Sequence, residues 1–185
     1  MEPELDLGDH LHMRALVCGD AGLLTEATSG ESAPALWGPR PAGPYSPRDA
    51  RTALAEWDPA AGGQFSLGIL RGGQLLGAVG LMPDRPGSIE VAYWVRPGQR
   101  GRGLASRAVR TATLWAHGGL DVPRLWLEIR PGNEPSLRVA QRAGYRFEQR
   151  SPRHCRDWAS ADAGRDSWHD CLIWVHESTD PRPGS

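Results

Sequence analysis

The spacing of apolar residues changes along this chain, and each change marks an element. In Gln64–Leu70, Phe65, Leu67 and Ile69 alternate with small or polar residues, the period of a strand. Arg71-Gly72-Gly73-Gln74 reads as a hairpin turn into a returning strand, Gln74–Met82. Pro83–Gly87 is a second turn and Ser88–Val95 a third strand, so this stretch predicts an antiparallel meander. The period then lengthens. Leu104, Ala108, Ala112 and Trp115 recur at helical spacing and predict a helix from near Gly103 to near Gly118-Gly119, packed by one face on the sheet. Alternation returns in Arg124–Arg130, where Leu125, Leu127 and Ile129 oppose Trp126 and Glu128. A strand, a helix and a strand in succession favour parallel pairing of Ser88–Val95 with Arg124–Arg130.

The flanks are shorter. His12–Val17 reads as a first strand and Gly19–Thr28 as a short helix. Gly30–Pro47 holds Pro34, Pro39, Pro41, Pro44 and Pro47, which break both kinds of ladder, so it is a long loop, carrying Trp37 and Tyr45. Ser46 as N-cap and Pro47 in the first turn start a helix that runs to Trp57. Asn133 can cap a helix over Glu134–Ala143 that Gly144 closes. Tyr145–Gln149 and Asp170–His176 supply two more strands, with a polar, irregular Ser151–Ser167 between them. The expected fold is a single α/β domain over residues 11–177. Its mixed, mostly antiparallel sheet has about 6–7 strands, one parallel pair and helices on both faces. Residues 1–10 and 178–185 are expected to be flexible tails.

With 185 residues, 39% hydrophobic and 23% charged, the chain suits one ordinary globular domain. A net charge of −1 argues against nucleic-acid binding. No apolar run reaches the roughly 20 residues of a membrane span. The acidic start, Met1-Glu2-Pro3-Glu4, lacks a following apolar segment, so no signal peptide is read and a cytoplasmic location is expected. All 21 basic residues are arginine, which excludes lysine-nucleophile chemistry. Cys18, Cys155 and Cys171 are odd in number and lack framework spacing, as in a reducing compartment. Neither His154-Cys155 nor His169-Asp170-Cys171 matches a zinc pattern, so no metal is expected, and the two distal cysteines have no identifiable base beside them.

Arg100-Gly101-Arg102-Gly103-Leu104-Ala105 is the most informative stretch. A glycine-rich turn that opens a helix aims several N–H groups at one point, and the helix dipole adds positive charge there. Glu90-Val91-Ala92-Tyr93-Trp94-Val95 precedes it. Trp126-Leu127-Glu128-Ile129-Arg130-Pro131-Gly132-Asn133-Glu134-Pro135-Ser136 and then Ala143-Gly144-Tyr145-Arg146-Phe147 follow it. This ordered set resembles the GNAT superfamily of N-acetyltransferases, nearest to its Rim-type branch, whose members acetylate protein N-termini. The resemblance spans about residues 10–177.

The resemblance implies acetyl-CoA as co-substrate and acetylation of a primary amine, either a protein or peptide N-terminus or a small molecule. It implies that the amides of Gly101, Arg102, Gly103, Leu104, Ala105 and Ser106, with Arg100, wrap a pyrophosphate, and that Tyr93, Trp94 and Val95 pair with pantetheine. Asn133 falls where the family meets the cofactor. Ser136 falls where a hydroxyl protonates the departing thiolate; the tyrosine that some relatives carry four residues later is Ala140 here. Two carboxylates, Glu90 and Glu128, stand equal as the general base. Trp37, Tyr45 and the Ser151–Ser167 segment are expected to wall the acceptor site. A homodimer is expected at the family level only. A CoA-binding sensor without turnover and an enzyme for another acyl-CoA are the alternatives.

Overall fold

A computed structural model describes residues 3–30, 44–58, 64–157 and 167–178. Eight strands form one sheet in the order β1-β2-β3-β4-β5-β6-β8-β7. The strands are β1 (Glu4–Gly8), β2 (Leu11–Ala15), β3 (Phe65–Arg71), β4 (Gln74–Arg85), β5 (Ser88–Val95), β6 (Arg124–Ile129), β7 (Arg146–Asp157) and β8 (Ser167–Glu177). The helices are α1 (Ala21–Thr28), α2 (Pro47–Glu56), α3 (Leu104–Gly119) and α4 (Glu134–Arg142). Neighbouring strands run antiparallel except β5 and β6, which are parallel and joined through α3. None of the described helices is long and apolar enough to cross a membrane.

Period-two alternation sorts the strand residues between two cores. One face carries Met13, Ile69, Val79, Val91, Leu125 and Leu127 under α3 and α4, which contribute Ala108, Ala112 and Ala140. Alanine at these helix positions lets α3 lie close on the sheet. The opposite face carries Ala78 and Trp94 under α1 and α2, with Leu24, Ala53 and Leu54. Ser46 caps α2 by accepting from the Asp49 amide at 3.2 Å. Arg14 clamps the end of β2 through a two-pronged pair with Asp20, both contacts 2.7 Å.

Three expectations are corrected. Residues Glu4–Gly8, read as a frayed tail, form β1 through antiparallel pairing with β2, and buried Leu7 joins the larger core. β4 passes through Pro83 to Arg85, because Pro83 falls near an irregular end of its ladder with β5. Much of the segment expected to be irregular after Gln149 is strand: β7 continues to Asp157 and β8 begins at Ser167. These pieces are polar because β7 is an edge strand.

Candidate active site

The site begins where two parallel strands part. β5 and β6 pair at Ser88 with Arg124, Ile89 with Leu125 and Glu90 with Trp126, and the ladder goes no further. β5 continues to Val95 and β6 to Ile129, so each presents strand edge to a gap. An unpaired edge is a template for an extended ligand bearing amides. Tyr93, Trp94 and Val95 lie along this stretch of β5.

The glycine turn stands beyond the end of β5. Gly101 and Gly103 have φ of +76° and +74°, a conformation that disfavours side chains, while the space above both is open. Gly103 is the N-cap of α3 and supplies no side chain, and the first helical bond runs from Arg107 N to Gly103 O at 3.1 Å. The amides of Leu104, Ala105 and Ser106 therefore point out of the helix end, toward any anion held there. Arg100 folds back and donates Nε to Val95 O at 2.9 Å, so it anchors the turn to the strand. Arg102 is exposed.

Glu90 and Glu128 lie on neighbouring strands and are electrostatically coupled. Burial, then the charges of Glu128 and Asp84, push the Glu90 carboxyl up to about 7. Burial also raises Glu128, against the opposing pull of His154, whose Nε2 lies 2.6 Å from Glu128 Oε1. The arrangement is one half-buried carboxyl poised near neutrality beside a second that is held by a histidine.

On the other face, Asn133 caps α4 by accepting from Ser136 N at 3.3 Å. Tyr93 points to this side, in register with Val91 and Val95. Its hydroxyl is buried, raised by that burial and opposed by the nearby Ser136. The acids and the hydroxyls thus face opposite sides of the sheet where β5 and β6 part.

β7 adds a feature that strand alternation hides. Between the pairs Ser151–Cys171 and Cys155–His169 it advances four residues while β8 advances two. Arg153 takes a φ of +50° within this bulge. As a result, the consecutive residues His154 and Cys155 both reach Glu128, Cys155 Sγ lying 3.2 Å from Oε2. Cys155 and Cys171 form a disulfide, with Cα atoms 5.8 Å apart. Cys155, His169 and Cys171 bring their ligand-type atoms within 4.8 Å of one another. The expectation that no titrating group sits beside these cysteines is therefore corrected.

A family model described as "Acetyltransferase (GNAT) domain" matches residues 10–146. The chain belongs to the GNAT acetyltransferase family. As a GNAT acetyltransferase it shares its fold with several solved structures. The ribosomal-protein-S5-alanine acetyltransferase of Vibrio fischeri aligns with a TM-score of 0.77 at 18% identity, covering 99% of this chain and 100% of that one. RimL, a ribosomal-protein α-N-acetyltransferase solved in complex with coenzyme A, gives 0.78 at 15% identity, with 95% and 98% covered. Mycobacterium smegmatis RimJ gives 0.73 at 19%, with 96% and 87% covered. No curated protein sequence matches this GNAT chain.

Among the other expected site residues, Tyr45 is buried in the smaller core, its amide donating to Thr28 Oγ1 at 3.2 Å, so it packs rather than walls a cleft. Trp37 lies outside the described residues, as do 158–166 of the expected acceptor wall. His154, Cys155 and Tyr93's closeness to Ser136 were not legible as a site. The first two depend on a bulge, and the third on where α4 lands over β5.

Proposed function

We propose that this enzyme moves the acetyl group of acetyl-CoA to a primary amine, with the α-amino group of a protein or peptide as the acceptor class. The observation that carries this reading is the parting of β5 and β6, with Glu90 and Glu128 on one face and Ser136 and Tyr93 on the other. The helix end and open glycines fit a pyrophosphate, and the free strand edge fits the amides of pantetheine. Bound acetyl-CoA would supply the activated acyl carbon.

The chain's own residues do the rest. The amides of Gly101–Ser106 hold the anionic end, and the edge of Tyr93–Val95 aligns the extended arm, which fixes the reacting carbon in place. Glu90 is the first proton acceptor. A carboxylate that titrates at about 7 is basic enough to take a proton from an ammonium, and about half of it is ionised in neutral solution. Glu128 adds negative potential that attracts a cationic amine. Ser136, with Tyr93 beside it, delivers a proton to the departing sulfur from the opposite face. An α-amino acceptor is supported by the fold neighbours, two of which are ribosomal-protein acetyltransferases. A cytoplasmic place follows from the same acceptor class.

The test is free-thiol release from acetyl-CoA across a panel of short peptides and small amines. We expect release that depends on amine and is fastest with a free peptide N-terminus. Thiol release that ignores the amine, or none with any of them in a folded sample that binds acetyl-CoA, would overturn the reading.

A further inference from the structure

We propose that Cys155 and Cys171 are a reversible thiol–disulfide site that sets the proton affinity of Glu128. The inference rests on reading Glu128 as part of the acetyl-transfer site, and its test does not require turnover. Three observations converge. The two cysteines are on adjacent strands at a disulfide's Cα separation of 5.8 Å. The bulge in β7 brings Cys155 Sγ to 3.2 Å from Glu128 Oε2. Cys171 is wholly buried while Cys155 is partly exposed, so a small thiol has one sulfur to attack.

The exchange balances with a low-molecular-weight thiol as reductant. Its thiolate attacks Cys155 Sγ, the Sγ–Sγ bond breaks, and Cys171 leaves as a thiolate that takes a proton. A second thiol then attacks the mixed disulfide, releasing Cys155 as a thiol and an external disulfide. Two electrons and two protons have passed to the protein.

Of the two hydrogens gained on reduction, one lies beside Glu128. In the dithiol, Cys155 S–H donates to Glu128 Oε2 and favours the ionised carboxylate. In the disulfide that donor is gone and sulfur lone pairs face the oxygen, so the carboxylate holds a proton more tightly. The groups that bear on Glu128 are Glu90 from β5, His154 and Cys155 from β7, and His169 from β8. None but the cysteine changes with redox state.

The same cluster suggests zinc, which the geometry disfavours. His169 Nδ1 lies 3.1 Å from Arg130 Nη2, and arginine can only donate, so Nδ1 is the acceptor and the ring proton sits on Nε2. His169 then has no lone pair free for an ion.

The experiment compares the whole protein after incubation with oxidised or reduced dithiothreitol. Mass spectrometry counts the two hydrogens gained on reduction. Carboxyl-detected NMR, with Glu128 assigned through E128Q, follows its titration. We expect full interconversion of the pair and a Glu128 midpoint higher in the disulfide form by roughly half a pH unit or more. In C171S the midpoint should stay at the dithiol value whatever the oxidant. Equal midpoints in both forms of the wild type, a pair that never oxidises, or zinc retained by the reduced protein through dialysis would each overturn the proposal. Because the readout is a titration, its failure is distinct from a failure of acetyl transfer.

Discussion

Glu90 shows at the residue scale why a site acid costs stability. Its folded value of about 7 stands above the ordinary 4.5 of a glutamate, because burial and two neighbouring acids oppose its charge. A carboxyl raised in this direction binds its proton more tightly in the folded state. Its stabilising effect is complete below the unfolded value and is lost as pH rises from about 4.5 through 7. Glu90→Gln should therefore raise stability at pH 8, by on the order of 1–3 kcal/mol, and change little at pH 4. Chemical denaturation at the two pH values checks this; equal effects at both would show that Glu90 is not held under strain. Across the sheet, Ser136→Ala should lower kcat by roughly tenfold or more while acetyl-CoA affinity stays within about threefold. The motif match singled out Glu90, Glu128 and Ser136 as candidates in the sequence, but could not rank the two acids. That ranking depends on burial and on which groups stand opposite, and neither is carried by a strand's own alternation.

Among the elements, the turn into α3 carries the strongest expectation. Gly103 sits in left-handed backbone with open space above it, at a helix end whose amides face outward. Gly103→Asp puts a negative side chain over those amides. It should weaken acetyl-CoA by roughly 100-fold or more, since an anion is displaced and a like charge added. Calorimetric titration of the folded variant decides, and unchanged affinity would misplace the turn. Most elements were readable because their residues follow one period: α3 from Leu104, Ala108 and Ala112, and β6 from Leu125, Leu127 and Ile129. The misreadings have local causes. β1 is five residues long with only Leu5 and Leu7 to mark its core face, Pro83 reads as a strand breaker, and the outer halves of β7 and β8 are held by pairing with each other rather than by an apolar face. The parting of β5 and β6 is likewise a property of two strands together and has no signature in either.

Over the whole molecule, the sheet joins two helix layers, and a polar chain crosses part of it. His117 Nδ1 lies 2.5 Å from Val122 O and His117 Nε2 lies 2.9 Å from His176 Nδ1, linking α3 to β8. Tyr145 and Thr113 share a buried hydroxyl contact of 2.7 Å nearby. Burial, with His117 as neighbour, lowers the His176 pKa. The charged form is thus disfavoured in the folded state, and stability falls as pH drops below the unfolded value of about 6.5. Thermal unfolding of His176→Gln should show a shallower loss between pH 7 and 5 than the wild type; parallel curves would remove this link from the account. Fold and site come together because one sheet does two jobs. Its core-facing residues fix β5 and β6, and the divergence of those strands leaves both the edge and the two faces that the proposed acetyl transfer uses.

The most direct measurement is the pH dependence of kcat for amine-dependent thiol release by the wild type and Glu90→Gln, at saturating acetyl-CoA and peptide. The wild type should gain rate with pH along a limb centred near 7, as the Glu90 carboxyl ionises. Glu90→Gln should lose that limb and run roughly 100-fold or more slower, with acetyl-CoA binding intact. A variant that keeps both the limb and the wild-type rate would contradict the assignment of Glu90 as the proton acceptor.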